Sequence, residues 1–152
     1  MHLSDFLDFD AIKPALSGGN KRSLLQQLAN IAGHRLKLDP GLIHSSLIER
    51  EQLGSTGFGQ GVAIPHGKLG AVGEIVACLG RAPTGVEFDS MDGQPTYLFF
   101  VLVAPESSTG AHLKALARIS RVFKDPEFRR RLMAAPDAPS MYSVVADEDA
   151  KY

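Results

Sequence analysis

The sequence contains one cysteine, Cys78, and no tryptophan. A single thiol excludes an internal disulfide and any metal site built from several cysteines. Because Cys78 lies within the apolar run 75–79, we expect it to be a buried small hydrophobe. The lack of tryptophan and the low aromatic content, 7%, disfavour a stacking platform for single-stranded nucleic acid.

Excess charge of either sign is also missing. Lys and Arg number 16 against 17 for Asp and Glu, a net charge of −1, which argues against binding nucleic acid or an anionic membrane through bulk charge. The cluster 129–131 is a short arginine run in a helical pattern, typical of a solvated face. The longest apolar run, 97–104, is far short of the ~20 residues of a membrane span. No basic segment followed by an apolar stretch opens the chain, so we expect neither a signal peptide nor membrane insertion, and a cytoplasmic location.

A length of 152 residues, with no linker or repeat, predicts one domain over 1–152. Apolar spacing, prolines and caps predict helices and strands that alternate as in a mixed α/β layer structure. The predicted helices cover Ser23 to about Leu36, Pro40 to about Leu53, a segment from Thr109, 126–134 and a segment from about Ser140; the strands cover about 74–81 and 96–103. The helix from Thr109 is expected to place Leu113, Leu116, Ala117, Ser120 and Phe123 on one face, with Leu116 and Phe123 in the core. The acidic tail after Val145 is expected to fray.

Glycine is concentrated in the segment 54–70, where it supplies six of seventeen residues. Such a cluster indicates either a turn-rich loop at a sheet edge or backbone that approaches an anion closely. The nucleotide-binding P-loop pattern fails, because five residues separate Gly61 from Gly67 and Leu69 follows Lys68. The dinucleotide pattern fails as well, because Val62 stands where its third glycine is needed and a helix, not a strand, precedes it.

His66 lies within this segment, between Pro65 and Gly67. Proline restricts the backbone before the imidazole and glycine leaves space after it. A positioned, accessible imidazole is a good nucleophile near neutral pH. A single histidine is more often structural than reactive, so the residues alone leave a structural and a nucleophilic role about equal.

The run 50–68, Arg-Glu-Gln-Leu-Gly-Ser-Thr-Gly-Phe-Gly-Gln-Gly-Val-Ala-Ile-Pro-His-Gly-Lys, resembles the active-site signature of IIA proteins of the bacterial phosphotransferase system. The match is to the fructose/mannitol superfamily, and within it to the nitrogen-regulatory branch; it extends to 92–95 and to Thr109-x-x-His112-Leu113. The resemblance implies an α/β fold with three α/β/α layers around a mixed central sheet. It also implies phosphorylation of His66 on Nε2 by a small HPr- or NPr-like carrier protein, with no cofactor or direct nucleotide binding.

The resemblance further implies site roles for two residues, each of which also has an ordinary alternative. Arg50 would stabilise the phosphoryl group, although an arginine at a helix C-terminus is often solvated. His112 would support the site without being phosphorylated, although it could be an exposed first-turn histidine.

Other residues of the loop could bind the phosphoryl group or a partner. The hydroxyls of Ser55 and Thr56 could equally cap the loop locally, and Lys68 could be solvated. Phe58 is a candidate docking residue or a buried loop residue. The predicted phosphoryl-binding set is Ser55, Thr56, Gly57, Gly67 and Lys68. His34 and His44 are interpreted as structural or surface residues, Asp92-Gly93 as a turn, and no metal site is expected.

Three functions follow from this reading. The first is a nitrogen- or potassium-regulatory phosphocarrier, whose phosphorylation state is read by partners such as a potassium transporter or a sensor kinase. The second is a sugar-specific IIA component that passes the phosphoryl group to a IIB domain. The third is a binding module that has lost phosphorylation, which the intact Pro65-His66-Gly67 disfavours.

Overall fold

A six-stranded mixed β-sheet lies at the centre of the computed structural model, which describes residues 1–17 and 19–152, with Thr109 described in its backbone only. The strand order is β1-β5-β6-β3-β2, and β4 also pairs with β6. The pairs β1–β5, β3–β6 and β4–β6 are parallel, whereas β5–β6 and β2–β3 are antiparallel. The strands are β1 (Leu7–Lys13), β2 (Gly57–Gly59), β3 (Val62–Ala63), β4 (His66–Leu69), β5 (Val76–Val86) and β6 (Thr96–Pro105).

In the part of the chain that the structure describes, five α-helices cover the two faces of this sheet: α1 (Lys21–Leu36), α2 (Pro40–Gln52), α3 (Thr109–Phe123), α4 (Pro126–Ala134) and α5 (Ala138–Asp149). Alternate residues of β6 point to opposite faces, as strand geometry requires. Phe99 and Val101 pack in the cluster with α1 and α2, whereas Phe100 and Leu102 pack in the cluster with α3, α4 and α5. The predicted three-layer α/β/α architecture is therefore confirmed.

Polar caps set the helix starts that the sequence predicts. The Asn20 side chain accepts a hydrogen bond from the Ser23 N–H at the start of α1. Asp39 and Asp125 cap α2 and α4 in the same way, each with proline at the following position. Such a cap contributes about 1 kcal/mol, and proline costs nothing where the N–H is unpaired anyway.

The strand β1 was not predicted, and the glycine-rich segment was expected to be a loop. Instead this segment forms β2, β3 and β4, and the last two pair with the central strand β6. His66 is therefore the first residue of a strand, opposite Leu102, rather than part of an open loop. Cys78 is buried as predicted, and burial raises the pKa of its thiol to about 12.

Two expectations about the last third of the chain are wrong. The buried face of α3 is formed by Ala115, Ile119 and Val122, together with Phe123 as predicted, whereas Leu113 is 61% exposed. The predicted face also contained Leu116, which is only partly buried, and Ala117, which is exposed.

The acidic tail is helical as far as Asp149 and does not fray. Asp149 is buried, and its carboxylate accepts hydrogen bonds from the Leu3 N–H (2.7 Å) and from Arg118 Nε (2.6 Å). These charge-assisted bonds satisfy the carboxylate and anchor the end of α5. Among the described helices, none is both long and apolar enough to cross a membrane.

Candidate active site

His66 is held in one orientation and one tautomer by the backbone next to it. Its Nδ1 lies 2.8 Å from the Ile64 carbonyl oxygen, which can only accept, so Nδ1 carries the proton. The lone pair of the neutral ring is consequently on Nε2. The pairing of β4 with β6 fixes the backbone on which the ring stands.

Arg50 approaches the other side of the same imidazole from the last turn of α2. Its Nε donates to His66 Nε2 at 3.2 Å, and its Nη1 donates to the Gly54 carbonyl at 2.7 Å. A guanidinium can only donate, so this contact also requires the lone pair to be on Nε2. Two independent contacts thus agree on the tautomer of His66.

His112 comes from α3, and its ring centroid lies 5.4 Å from that of His66. The side chain is buried, and its Nδ1 has no hydrogen-bond partner among the described residues. Burial, followed by the charges of His66 and Lys68, lowers the pKa of His112 to about 4. Its imidazole is therefore neutral at pH 7 and able to donate one hydrogen bond.

The pKa of His66 also lies below its usual value. Burial is the main cause, and the positive charge of Arg50 acts in the same direction. The hydrogen bond to the Ile64 carbonyl and the charge of Glu51 oppose this shift without reversing it. His66 is therefore in the neutral, nucleophilic form at pH 7.

One surface pocket of about 400 Å³ contains five of the predicted site residues: Arg50, His66, Gly67, Lys68 and His112. Its other lining residues include the apolar side chains Leu53, Leu113 and Leu116. Leu53 is 85% exposed, and with Leu113 it forms an apolar rim beside the cations Arg50 and Lys68. Such an arrangement suits an anionic group presented by a protein that covers the pocket.

Four other predicted site residues, Ser55, Thr56, Gly57 and Phe58, do not line this pocket. The Ser55 hydroxyl donates to the Phe88 carbonyl at 2.8 Å and accepts from the Gly57 N–H at 3.0 Å. The Thr56 hydroxyl donates to the Glu51 carboxylate, and the Thr56 N–H lies 3.1 Å from both oxygens of that carboxylate. These contacts favour the alternative of local loop capping for the two hydroxyls. Phe58 is partly exposed, on β2.

Gly67 is required by the close packing of β4 against α2. A Cβ atom at this position would overlap Ser46 Oγ and lie 3.1 Å from Ser46 Cβ. The Ser46 hydroxyl in turn donates to the Lys68 carbonyl at 3.3 Å. The role of Gly67 here is therefore to let the strand that carries His66 approach the helix that carries Arg50.

Sequence reasoning missed three residues that shape this region: Glu51, Leu53 and Leu113. Glu51 stands next to Arg50 in the signature run, but nothing in its local pattern distinguishes a buried carboxylate from a solvated one. Leucine is ordinarily assigned to the core, so the exposure of both Leu53 and Leu113 beside His66 is visible only in the folded chain. Within residues 1–17 and 19–152, no three His, Cys, Asp or Glu side chains converge as a metal site would need.

Known proteins resemble this chain both in sequence and in structure. The family described as "Phosphoenolpyruvate-dependent sugar phosphotransferase system, EIIA 2" matches residues 5–148. A "Nitrogen regulatory protein" of Bradyrhizobium diazoefficiens is 42% identical over 96% of this chain and 95% of its own length. One of the same description from Pseudomonas aeruginosa is 40% identical over 86% of this chain and 85% of its length. The crystal structure of "Nitrogen Regulatory Protein IIA-Ntr" from Neisseria meningitidis superimposes with a TM-score of 0.89 at 32% identity, covering 94% of this chain and 98% of that one.

Proposed function

This chain belongs to the EIIA 2 family of the phosphoenolpyruvate-dependent sugar phosphotransferase system, and from that membership we propose that it carries a phosphoryl group on Nε2 of His66. The observation that supports this most directly is the Nδ1–Ile64 hydrogen bond. It leaves the Nε2 lone pair in a pocket lined by Arg50, Lys68 and His112. Residues 1–152 would act as one domain in this role.

In the proposed reaction, the Nε2 lone pair of His66 attacks the phosphorus atom of a phosphohistidine on the donor protein. The new Nε2–P bond forms as the donor's N–P bond breaks, and that bonding pair returns to the donor imidazole. The Nδ1 proton of His66 stays on the ring, held by the Ile64 carbonyl. No proton has to move between side chains, and the step is near thermoneutral because both ends are phosphohistidines.

The cations around His66 would stabilise the charge of the transferring group. Phosphoryl transfer depends chiefly on positioning and on electrostatic stabilisation of the equatorial oxygens. The guanidinium of Arg50 is already within hydrogen-bond distance of Nε2, and Lys68 lines the same pocket. The neutral imidazole of His112 can offer an N–H to one oxygen, which would give its buried nitrogen a partner.

The donor in this proposal is a small HPr- or NPr-like phosphocarrier, and no nucleotide or cofactor takes part. The apolar rim of Leu53 and Leu113 supports docking of such a protein, because its contact would exclude water from a hydrolysable N–P bond. Phe58 would contribute only if the interface extended as far as β2.

The regulatory form of this function is supported by the names of the relatives, since both of those from Bradyrhizobium and Pseudomonas are described as nitrogen regulatory proteins. The phosphorylation state would then be read by a partner protein such as a potassium transporter or a sensor kinase. A sugar-specific IIA role is the alternative, and addition of candidate IIB proteins to the phosphorylated chain separates the two.

The test is to incubate the chain with radiolabelled phosphoenolpyruvate, enzyme I and an HPr-like carrier, and to map the label by mass spectrometry. We expect one base-stable, acid-labile phosphoryl group on His66. His66→Ala should abolish labelling, whereas His34→Ala, which removes an exposed histidine of α1, should not change it. Labelling retained by His66→Ala would refute the assignment, and complete absence of labelling would favour the non-phosphorylated binding module.

A further inference from the structure

Glu51 is a buried carboxylate next to the candidate site that the proposed reaction does not use. It is 9% exposed and belongs to the last turns of α2, yet it does not line the pocket around His66. A buried carboxylate is costly unless it is paired and hydrogen-bonded. The groups that satisfy Glu51 are therefore informative about its role.

A path of three residue-to-residue steps, each made by hydrogen bonds, connects this carboxylate to the ring of His66. The Thr56 N–H donates to Glu51 at 3.1 Å, and the Thr56 hydroxyl donates to it as well. The Thr56 carbonyl accepts the Ile64 N–H at 3.1 Å. The Ile64 carbonyl accepts the Nδ1–H of His66 at 2.8 Å. Each residue along this path is thus fixed by the one before it.

Lys21 pairs with the same carboxylate, and together with Glu51, Thr56 and Phe88 it forms one cluster. Its Nζ lies 2.8 Å from Glu51 Oε1 and 4.6 Å from the centroid of the Phe88 ring. Lys21 is the first residue of α1, where the helix dipole disfavours a positive charge. The ion pair with Glu51 accounts for a lysine at this position.

The same cluster also fixes the start of the glycine-rich segment. The Phe88 carbonyl accepts the Ser55 hydroxyl, so Ser55 and Thr56 are both anchored to the group around Lys21 and Glu51. Gly54, whose carbonyl accepts Arg50 Nη1, directly precedes these two residues. Both contacts of the His66 ring, with the Ile64 carbonyl and with Arg50, are therefore linked to one buried cluster.

We propose that Glu51 is a positioning residue for phosphoryl transfer: through Thr56 and Ile64 it holds His66 in the Nδ1–H tautomer, with Nε2 directed into the pocket. This inference rests on the proposed function of His66. The part played by Glu51 is geometric, because it acts as an acceptor for the Thr56 N–H. A direct effect of its negative charge on His66 is the competing explanation.

Two substitutions separate geometry from charge. Glu51→Ala removes the acceptor, whereas Glu51→Gln removes the charge but keeps a carbonyl that can accept the Thr56 N–H. If the geometric role holds, Glu51→Gln restores most of what Glu51→Ala loses. If charge is what matters, the two variants behave alike.

The matched control is Glu148→Ala. Glu148, on α5, is also a buried carboxylate, 1% exposed, and it pairs at 3.1 Å with Lys151, which follows the end of that helix. Its removal tests what loss of a buried, lysine-paired carboxylate does to the protein without touching the path to His66. Should Glu51→Ala be too unstable to study, the double variant Lys21→Met/Glu51→Leu replaces the ion pair by apolar side chains and takes its place.

Two measurements are made well below the unfolding temperature of each variant. The first is the pair of ring ¹⁵N chemical shifts of His66 in the unphosphorylated protein, which reports the tautomer and does not depend on phosphoryl transfer. The second is the rate of transfer from a phosphorylated HPr-like carrier, resolved into kcat and KM. Failure of the proposed function would appear as an unlabelled wild type, which leaves the tautomer measurement valid.

We expect wild type and Glu51→Gln to show the Nδ1–H tautomer, and Glu51→Ala to show a mixture with the Nε2–H form. The kcat of Glu51→Ala should fall about 10- to 100-fold with KM changed less than about threefold, since misplacement by an ångström has effects of this size. Glu148→Ala should match wild type in both. The proposal is overturned if Glu51→Ala keeps the wild-type tautomer and rate, or if Glu51→Gln loses as much as Glu51→Ala.

Discussion

Lowering the pH from 7.5 to 5.0 should destabilise this protein through His112. The pKa of His112 is about 4 in the folded chain because of its burial, then the charges of His66 and Lys68, whereas an unfolded histidine titrates near 6.5. Between these values the unfolded chain binds a proton that the folded chain excludes. The contribution of His112 to the free energy of unfolding is thus fully present above pH 6.5 and declines as the pH falls toward 4.

The magnitude follows from the pKa difference. A pH of 5.0 lies about 1.5 units below the pKa of the unfolded ring. Each of these units lowers the free energy of unfolding by about 1.36 kcal/mol, which gives a loss of about 2 kcal/mol. The pocket is open to water, and screening reduces this to about 1–2 kcal/mol. The lowered pKa of His66 adds a contribution of the same sign. Carboxyl groups with lowered pKa values, Asp92, Glu127 and Asp137, titrate below this range of pH.

Urea denaturation at the two pH values measures the effect. His112→Leu replaces the imidazole by an apolar side chain of similar volume and so removes the titrating group. We expect wild type to lose about 1–2 kcal/mol more than this variant between pH 7.5 and 5.0, or about 2–8 °C in unfolding temperature. The exposed-histidine control, His34→Leu, should lose as much as wild type. Equal pH dependence in His112→Leu and wild type would refute the reasoning.

Three further outcomes follow from the packing. Gly67→Ala should lower the free energy of unfolding by about 1–3 kcal/mol in urea titrations, because its Cβ would overlap Ser46. Adding Ser46→Gly to this variant should restore most of that loss. An unchanged midpoint of urea denaturation in Gly67→Ala would contradict this account. Asp149→Ala should lower the free energy of unfolding by about 3–5 kcal/mol, since it leaves the partly buried guanidinium of Arg118 unpaired. Its control, Asp147→Ala, removes an exposed ion pair and should cost less than about 1 kcal/mol. Similar unfolding temperatures for the two variants would count against this account. Cys78 should react with dithionitrobenzoate only after unfolding, because burial raises its pKa to about 12, and rapid labelling of the native chain would disprove this.

Features with a local physical signal were predictable from the sequence. Asp39-Pro40 and Asp125-Pro126 start helices because a carboxylate caps free N–H groups and proline needs none. Cys78 was predicted to be buried because its neighbours are apolar. The unpredicted strand β1 alternates Leu7, Phe9 and Ala11 with polar residues, but Phe9 is 59% exposed and the register shifts within the strand. Alternation alone was therefore a weak signal there.

The site was predictable in part, for a different reason. Arg50, His66 and Lys68 lie in one signature run, and packing of β4 against α2 brings them together. His112 is nearly fifty residues away. Its place near the start of a helix left a site role and an exposed role about equal, and the resemblance to a family decided between them. The face of α3 was wrong because periodicity assigns a leucine to the core, whereas Leu113 lies on the pocket rim and the buried position goes to His112. No local pattern could have indicated the pairing of Glu51 with Thr56.

The hydrogen bond between Arg50 and His66 has a consequence for the proposed change between an unphosphorylated and a phosphorylated state. An imidazole nitrogen has a single in-plane lone pair, and in this structure Arg50 Nε occupies that of Nε2. The nitrogen cannot accept this hydrogen bond and form a bond to phosphorus at the same time. Occupancy of Nε2 is thus exclusive, and phosphorylation there, as proposed, would displace Arg50 Nε. The Nη1 atom of the same guanidinium donates to the carbonyl of Gly54, which follows Leu53, a leucine that is 85% exposed. On the proposed function, we therefore expect phosphorylation of Nε2 to alter, through Arg50, the surface that residues 53–54 present to a partner protein.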